Sequence, residues 1–155
     1  MRRKDLEHLI RAAAAITDQY EIIIGHSDLS DLINGAIGEL SPFEDRFGYY
    51  AHGVGPETAV LPEGWKSRLV RIQNKNTDLK TGYCLDPHDL AASKLVAGRE
   101  KDREFVEILL EHKIVRADTL LNRIALLPIA STQKALLTRW VSESDERPAQ
   151  WRSPA

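Results

Sequence analysis

Cysteine is nearly missing from this 155-residue chain: Cys84 stands alone. A single thiol excludes an intrachain disulfide and a cysteine-rich zinc site, and it suits a reducing cytoplasm, where we expect the protein to reside. Net charge is also missing. The formal value of −2 at pH 7 gives no global field to attract nucleic acid or an anionic membrane, so any such contact has to come from a local patch. No apolar run approaches the ~20 residues that a membrane-spanning helix requires. The start MRRKDLEHLIRAAAAI is basic and then apolar, but Glu7, His8 and Arg11 interrupt it, so it reads as an amphipathic helix and not as a signal peptide. No repeat or low-complexity segment precedes the tail. What remains is the composition of an ordinary globular protein, 43% hydrophobic and 28% charged. The expectation is one domain over residues 1–142, with a polar, proline-bearing, flexible tail over 143–155.

Periodicity sets out the elements in order. Residues 4–17 predict a helix with Leu6, Leu9, Ile10, Ala13 and Ile16 as its buried stripe. Tyr20–Ile24 predicts a short buried strand ended by Gly25. Leu29, Leu32, Ile33, Ala36, Ile37 and Leu40 then recur at helical spacing. Residues 38–56 read as a loop with Phe43, Phe47, Tyr49 and Tyr50, either folded against the sheet or, with His52, stacking on a base. Strands are expected at 58–61, 68–73 and 83–85, with a turn at Pro62–Trp65 and a polar hairpin or loop tip at 74–78. Cys84 reads as buried packing. Two further helices at 117–127 and 131–142 are split by Pro128, with packing faces of Leu120, Leu121, Ile124 and Leu127, then Leu136, Leu137 and Trp140.

The richest stretch is DPHDLAASKLVAGREKDREFVEILLEH, residues 86–112. Asp86 as N-cap, Pro87 at the first helical position and Asp89 in the first turn open a helix. Leu90, Leu95 and Val96, then Phe105, Ile108 and Leu109, recur at helical spacing, and Gly98 marks a break or kink between two pieces. Lys94, Arg99, Lys101, Asp102 and Arg103 crowd into this frame. If the helix continues through Gly98, Lys94 and Lys101 lie two turns apart on one face, and Arg99 and Arg103 sit a turn apart on a neighbouring one. Such an array can neutralise nucleotide phosphates. The competing reading is a solvated charged face on which Glu100, Glu104 and Glu107 pair the cations at helical spacing.

The pattern Lys94-Leu95-x-Ala97-x-Arg99-x-Lys101-Asp102-Arg103, with the stretches DLINGAIGELSPFEDRFGYYAHGVGPETAVLPEGW and DPHDLAASKLVAGREKD, resembles bacterial nucleotidyltransferase-like proteins. The similarity is to an uncharacterised branch related to abortive-infection and toxin–antitoxin nucleotidyltransferases, and it covers residues 3–115. It implies an α+β fold: a small mixed sheet with its helices over 4–85, here shortened, and a helical C-terminal half over 86–142. It also implies that Lys94, Arg99 and Lys101 contact nucleotide or polynucleotide, and that Asp102 supports them and is the candidate catalytic carboxylate. In such proteins a Gly-Ser turn after the first strand grips the triphosphate through backbone amides, which makes Ser27 a nucleotide-binding candidate. The next strand carries two alternating carboxylates that hold Mg²⁺.

That strand has no counterpart here. Between Gly25 and the helix that begins at Leu29 lie only His26, Ser27 and Asp28, whereas a helix and a strand with their connections need on the order of 25–30 residues. Asp28 and Asp31 are the candidate metal carboxylates. The alternative makes Asp28 an N-cap and Asp31 part of an acidic first turn. His26 reads as an exposed turn residue, since no second histidine sits at metal spacing. The function expected is therefore a degenerate or weakly active nucleotidyltransferase-like protein that binds a nucleotide or partner through residues 94–103, with Mg²⁺ as cofactor only if it is active. One alternative is an active Mg²⁺-dependent, toxin-type enzyme modifying RNA or protein. Another is a non-catalytic interaction module, or a shortened variant that self-associates through an uncovered sheet edge. The partners implied are a nucleoside triphosphate, RNA, a cognate antitoxin protein or a second copy of the chain, and no membrane.

Overall fold

A computed structural model describes residues 3–17, 21–24, 30–51 and 59–146. The order of elements is α1 (Arg3–Thr17), β1 (Glu21–Ile24), α2 (Ser30–Ile37), α3 (Pro42–Phe47), β2 (Val70–Ile72), β3 (Thr81–Cys84), α4 (Pro87–Ala97), α5 (Glu100–Glu111), α6 (Ala117–Ala125) and α7 (Ser131–Glu146). The fold is α+β, with a small mixed sheet, as the sequence implies. Strand order is β1-β3-β2. β1 runs parallel to β3 with Glu21 opposite Thr81 and Ile24 opposite Cys84. β2 runs antiparallel to it, with Val70 opposite Cys84 and Ile72 opposite Gly82. Among the described residues no helix is long and apolar enough to cross a membrane.

The chain divides into two compact units. The first comprises Met1–Thr58 with Arg68–Leu85, and the second Ala59–Ser67 with Asp86–Ala155. In the first, Leu9 and Ala13 of α1 close on Ile33 and Ile37 of α2. Each fully buried leucine or isoleucine side chain contributes roughly 1.5–3 kcal/mol. α2 ends at Ile37, so the stripe does not reach Leu40: that residue is left-handed at φ 61 and 90% exposed. Ala36 is exposed as well. The segment read as a loop contains α3, which begins with Ser41 as N-cap and Pro42 behind it, a start signal that the aromatic content overshadowed. Phe43, Tyr49 and Ala51 pack against the α1–α2 core. His8 of α1 sits among Phe43, Phe47 and Tyr49, with Nδ1 2.7 Å from the Tyr49 hydroxyl. Burial first, and then the charge of Arg11, lowers its pKa from the ordinary histidine value. His52 lies outside the described residues.

Two expected strands fare differently. Residues 59–61 form no strand; Leu61 is buried and belongs to the helical unit. The run expected over 68–73 keeps only Val70–Ile72 as strand, because Trp65–Arg68 winds into a 3₁₀ turn. The polar tip at 74–78 is a 3₁₀ turn, Lys75–Thr77, closed by a capping box in which the Asn74 side chain accepts from Thr77 N–H while the Thr77 hydroxyl accepts from Asn74 N–H. Cys84 is half-buried in β3, and burial pushes its thiol pKa up, consistent with packing.

The helical unit has its own core: Ala91, Ala92 and Leu95 of α4, Val106, Leu109 and Leu110 of α5, Leu120 and Ile124 of α6, and Leu137 and Val141 of α7. Three expected core positions point elsewhere. Phe105, Ile108 and Leu136 are exposed, and Val106 and Leu110 take the inward face of α5. In α5 the run Phe105-Val106 and Ile108-Leu109-Leu110 is apolar almost all round, so spacing alone does not choose which of these side chains faces inward. α7 runs through Glu146, so residues 143–146 are helical; 147–155 lie outside the described residues.

Gly82 tests the packing of the first unit. A Cβ built there would sit 2.5 Å from Ile10 Cδ1 and 2.6 Å from Cγ1, and Ile10 is fully buried. Gly82→Ala is expected to lower stability by about 1–3 kcal/mol through overpacking, read from the urea midpoint. Ile10→Val, which removes Cδ1, should recover part of the loss in the same background. An unchanged midpoint in Gly82→Ala alone would show that Ile10 swings aside freely.

Candidate functional site

α4 starts as its sequence dictates. Asp86 accepts from the His88 amide, and Pro87 occupies the first turn. It ends at Gly98, whose φ of 69 is left-handed and whose N–H closes on Lys94 O. A side chain at such a C-terminal position costs roughly 1–2 kcal/mol, so glycine is the residue that permits the sharp stop. α5 begins two residues on, with Arg99 as its N-cap residue and no side chain capping it. The helix therefore does not continue through Gly98, and the single-face array of Lys94 and Lys101 does not form.

A different constellation takes its place. Asp102, on the first turn of α5, is 2% exposed. Arg99 grips it through Nε at 2.6 Å and Nη2 at 3.2 Å, and Lys94 reaches it from α4 with Nζ at 3.2 Å from Oδ1. The Arg99 hydrogen bonds first, and then those of Lys94, outweigh burial and hold the Asp102 carboxyl at about 2, down from 3.8. Two cations on one carboxylate leave a net positive elbow. It is not sealed, because the side chains of Arg99 and Lys94 are 58% and 35% exposed. Asp102 therefore pairs with both Lys94 and Arg99. Lys101 and Arg103 are exposed. A groove of about 300 Å³ has Leu95, Arg103 and Trp140 in its lining, the first two being chain neighbours of Lys94 and Asp102.

The chain neighbours of this cluster hold the helices around it. Asp89, read from sequence as an acidic residue in the first turn of α4, is fully buried, and Arg123 of α6 brings Nε to 3.2 Å from its Oδ1. The approach is close but poorly directed for a hydrogen bond. Asp86 and His88 resemble an acid–histidine pair, at 3.0 Å. His88 Nε2 accepts from the Arg116 amide at 3.1 Å, so Nδ1–H donates to Asp86 and both ring nitrogens are committed to structure. None of this was legible in sequence, since Arg116 and Arg123 sit some thirty positions downstream with no spacing signal.

The family model described as nucleotidyltransferase of unknown function (DUF6036) matches residues 27–133, more than half of the chain. The chain belongs to this nucleotidyltransferase family. No curated protein and no solved structure matched it. The match takes in the elbow and the junction where Ser27, Asp28 and Asp31 were singled out. Ser27, Asp28 and His26 lie outside the described residues; Asp31 is exposed in the first turn of α2. Among the described residues no group of three or more His, Cys, Asp or Glu side chains is placed to hold a metal. Mg²⁺ takes oxygen ligands, commonly one or two carboxylates with substrate phosphates. In this member of the family Asp102 does not fit that role, because Arg99 and Lys94 already occupy both of its oxygens.

The depressed pKa of Asp102 has a signed consequence. Because its folded value lies below the unfolded one, its contribution is present above pH 3.8 and is lost as pH falls towards about 2. Asp102→Asn is expected to cost roughly 1–3 kcal/mol near neutrality. The gap between wild type and variant, followed by urea unfolding, should be flat above that window and close within it. A gap that stays constant through the acid range would show that the carboxylate is not held charged by Arg99 and Lys94.

Proposed function

We propose that this member of the family is a nucleotide-binding protein, degenerate or weakly active in catalysis, that holds the polyphosphate of a nucleoside triphosphate at the α4–α5 elbow. The observation that carries the reading is the convergence of Lys94 and Arg99, from either side of Gly98, on the buried Asp102. One carboxylate fixes two long cationic side chains and leaves a positive balance, so the freedom they would lose on meeting a phosphate is largely lost already. The unengaged edge of the Arg99 guanidinium offers paired N–H donors, and the Lys94 ammonium a mobile point charge. Lys101, exposed in the first turn of α5, supplies a third cation. A compact cluster of this kind fits a triphosphate better than an extended RNA or an antitoxin protein. The single half-buried thiol accords with a cytoplasmic setting, where nucleotides are abundant.

Calorimetric titration with ATP, CTP, GTP and UTP, with and without Mg²⁺, tests this. Binding is expected to persist without the metal and to weaken by about tenfold or more, at least ~1.4 kcal/mol, in Lys94→Ala and Arg99→Ala. Thermal melts of both variants separate lost binding from lost fold. Binding that requires Mg²⁺ and releases pyrophosphate with label transferred to RNA or protein would replace this reading with that of an active nucleotidyltransferase. No heat with any nucleotide would overturn it and leave a partner-binding or self-associating role.

A further inference from the structure

The first unit holds a second concentration of positive charge, unrelated to the elbow. A depression of about 520 Å³ is lined by Arg3, Lys4 and Glu7 from α1 and by Asn74, Lys75 and Asn76 from the turn before β3. Its floor is Glu7, 3% exposed. Asn74 Nδ2 donates to Oε1 at 2.7 Å, Asn76 Nδ2 to Oε2 at 2.8 Å, and Arg3 Nε to Oε1 at 3.1 Å. Both carboxylate oxygens are therefore engaged. Arg11, one turn further along α1, donates through Nη1 to Asn76 O at 3.3 Å, and the capping box fixes the turn internally. Helix and turn are locked into one rigid wall.

Structure accounts for Glu7, the two asparagines and Arg3, but not for the lysines. Lys4 and Lys75 come from segments far apart in sequence, are exposed, and make no ion pair among the described residues, yet line the same cavity as Arg3. Three cations against one compensated carboxylate are mutually repulsive, and in a chain of net charge −2 they focus a local positive field over the cavity. We propose that this cavity is a phosphate-binding site, in which Arg3, Lys4 and Lys75 surround the oxygens of a phosphate group while Glu7 keeps the two walls in register. The depression is open and polar, so the phosphate belongs either to a free phosphate compound or to the backbone of a single strand that crosses it.

The test is an NMR titration of the ¹⁵N-labelled full chain with inorganic triphosphate and, separately, with a short single-stranded RNA. The amides of Lys4 and Lys75 and the side-chain amides of Asn74 and Asn76 should shift and saturate. Affinity should fall by about tenfold or more in the double variant Lys4→Gln/Lys75→Gln and recover with Lys4→Arg/Lys75→Arg. Saturation by triphosphate identifies a free phosphate compound, and saturation by RNA alone identifies a backbone. In Lys94→Ala the shifts of Lys4, Lys75, Asn74 and Asn76 should saturate as in wild type while any shifts at α4 and α5 weaken, which separates this site from nucleotide binding at the elbow. Absence of saturable shifts with either probe, or equal affinity in wild type and the Gln variant, would overturn the proposal.

Discussion

A carboxylate taken out of water stays charged only where donors converge on it, and this requirement organises much of the chain. Asp102 is held by Arg99 and Lys94, and so ties α4 to α5 across Gly98. Glu7 is held by Asn74, Asn76 and Arg3, and ties α1 to the turn that leads into β3. Asp89 faces Arg123, and joins α4 to α6. Each links elements whose apolar contacts alone would leave their relative rotation loosely set. Hydrogen bonds from Asn76 and Asn74 hold the Glu7 carboxyl below the usual carboxylate range, much as Arg99 does for Asp102. A buried ion pair is not in itself a strong stabiliser. Its value here is geometric, because it permits few arrangements of the backbone around it.

The local electrostatics of this family member follow from what those carboxylates leave over. At the elbow one anion meets two cations, and in the Glu7 depression one anion meets a single paired arginine with two lysines nearby that make no ion pair among the described residues. The excess is positive and held by rigid backbone in both places, whereas the whole molecule is slightly acidic. A local positive field does not need a basic protein. It needs local imbalance, with the counter-charge spent on positioning.

Much of the helical half was legible. The Asp86-Pro87 start, the stop at Gly98 and the inward faces of residues 117–127 each rest on local rules: a capping oxygen, a fixed proline φ, a residue that tolerates left-handed backbone, and a 3.6-residue period. The first unit was less so. Ser41-Pro42 announced α3, but four aromatics drew attention to a loop; residues 59–61 carry strand-type side chains without a strand to pair with. Glu7 offered a signal, since it lies three positions before Ile10 on the apolar face of α1, where a carboxylate has no business unless something neutralises it.

By itself the amino-acid sequence determined the α+β class, the family, most helix limits and the residues Lys94, Arg99 and Asp102 as a set, because these depend on local propensity and on chemistry carried at fixed spacing. Only the tertiary structure decided that Lys94 and Arg99 face one buried carboxylate from two helices, and that Lys4 and Lys75 line one depression with Glu7. Those outcomes depend on where a chain broken at Gly98 or turned at Asn74 directs its next segment, and spacing along the sequence carries no record of that direction.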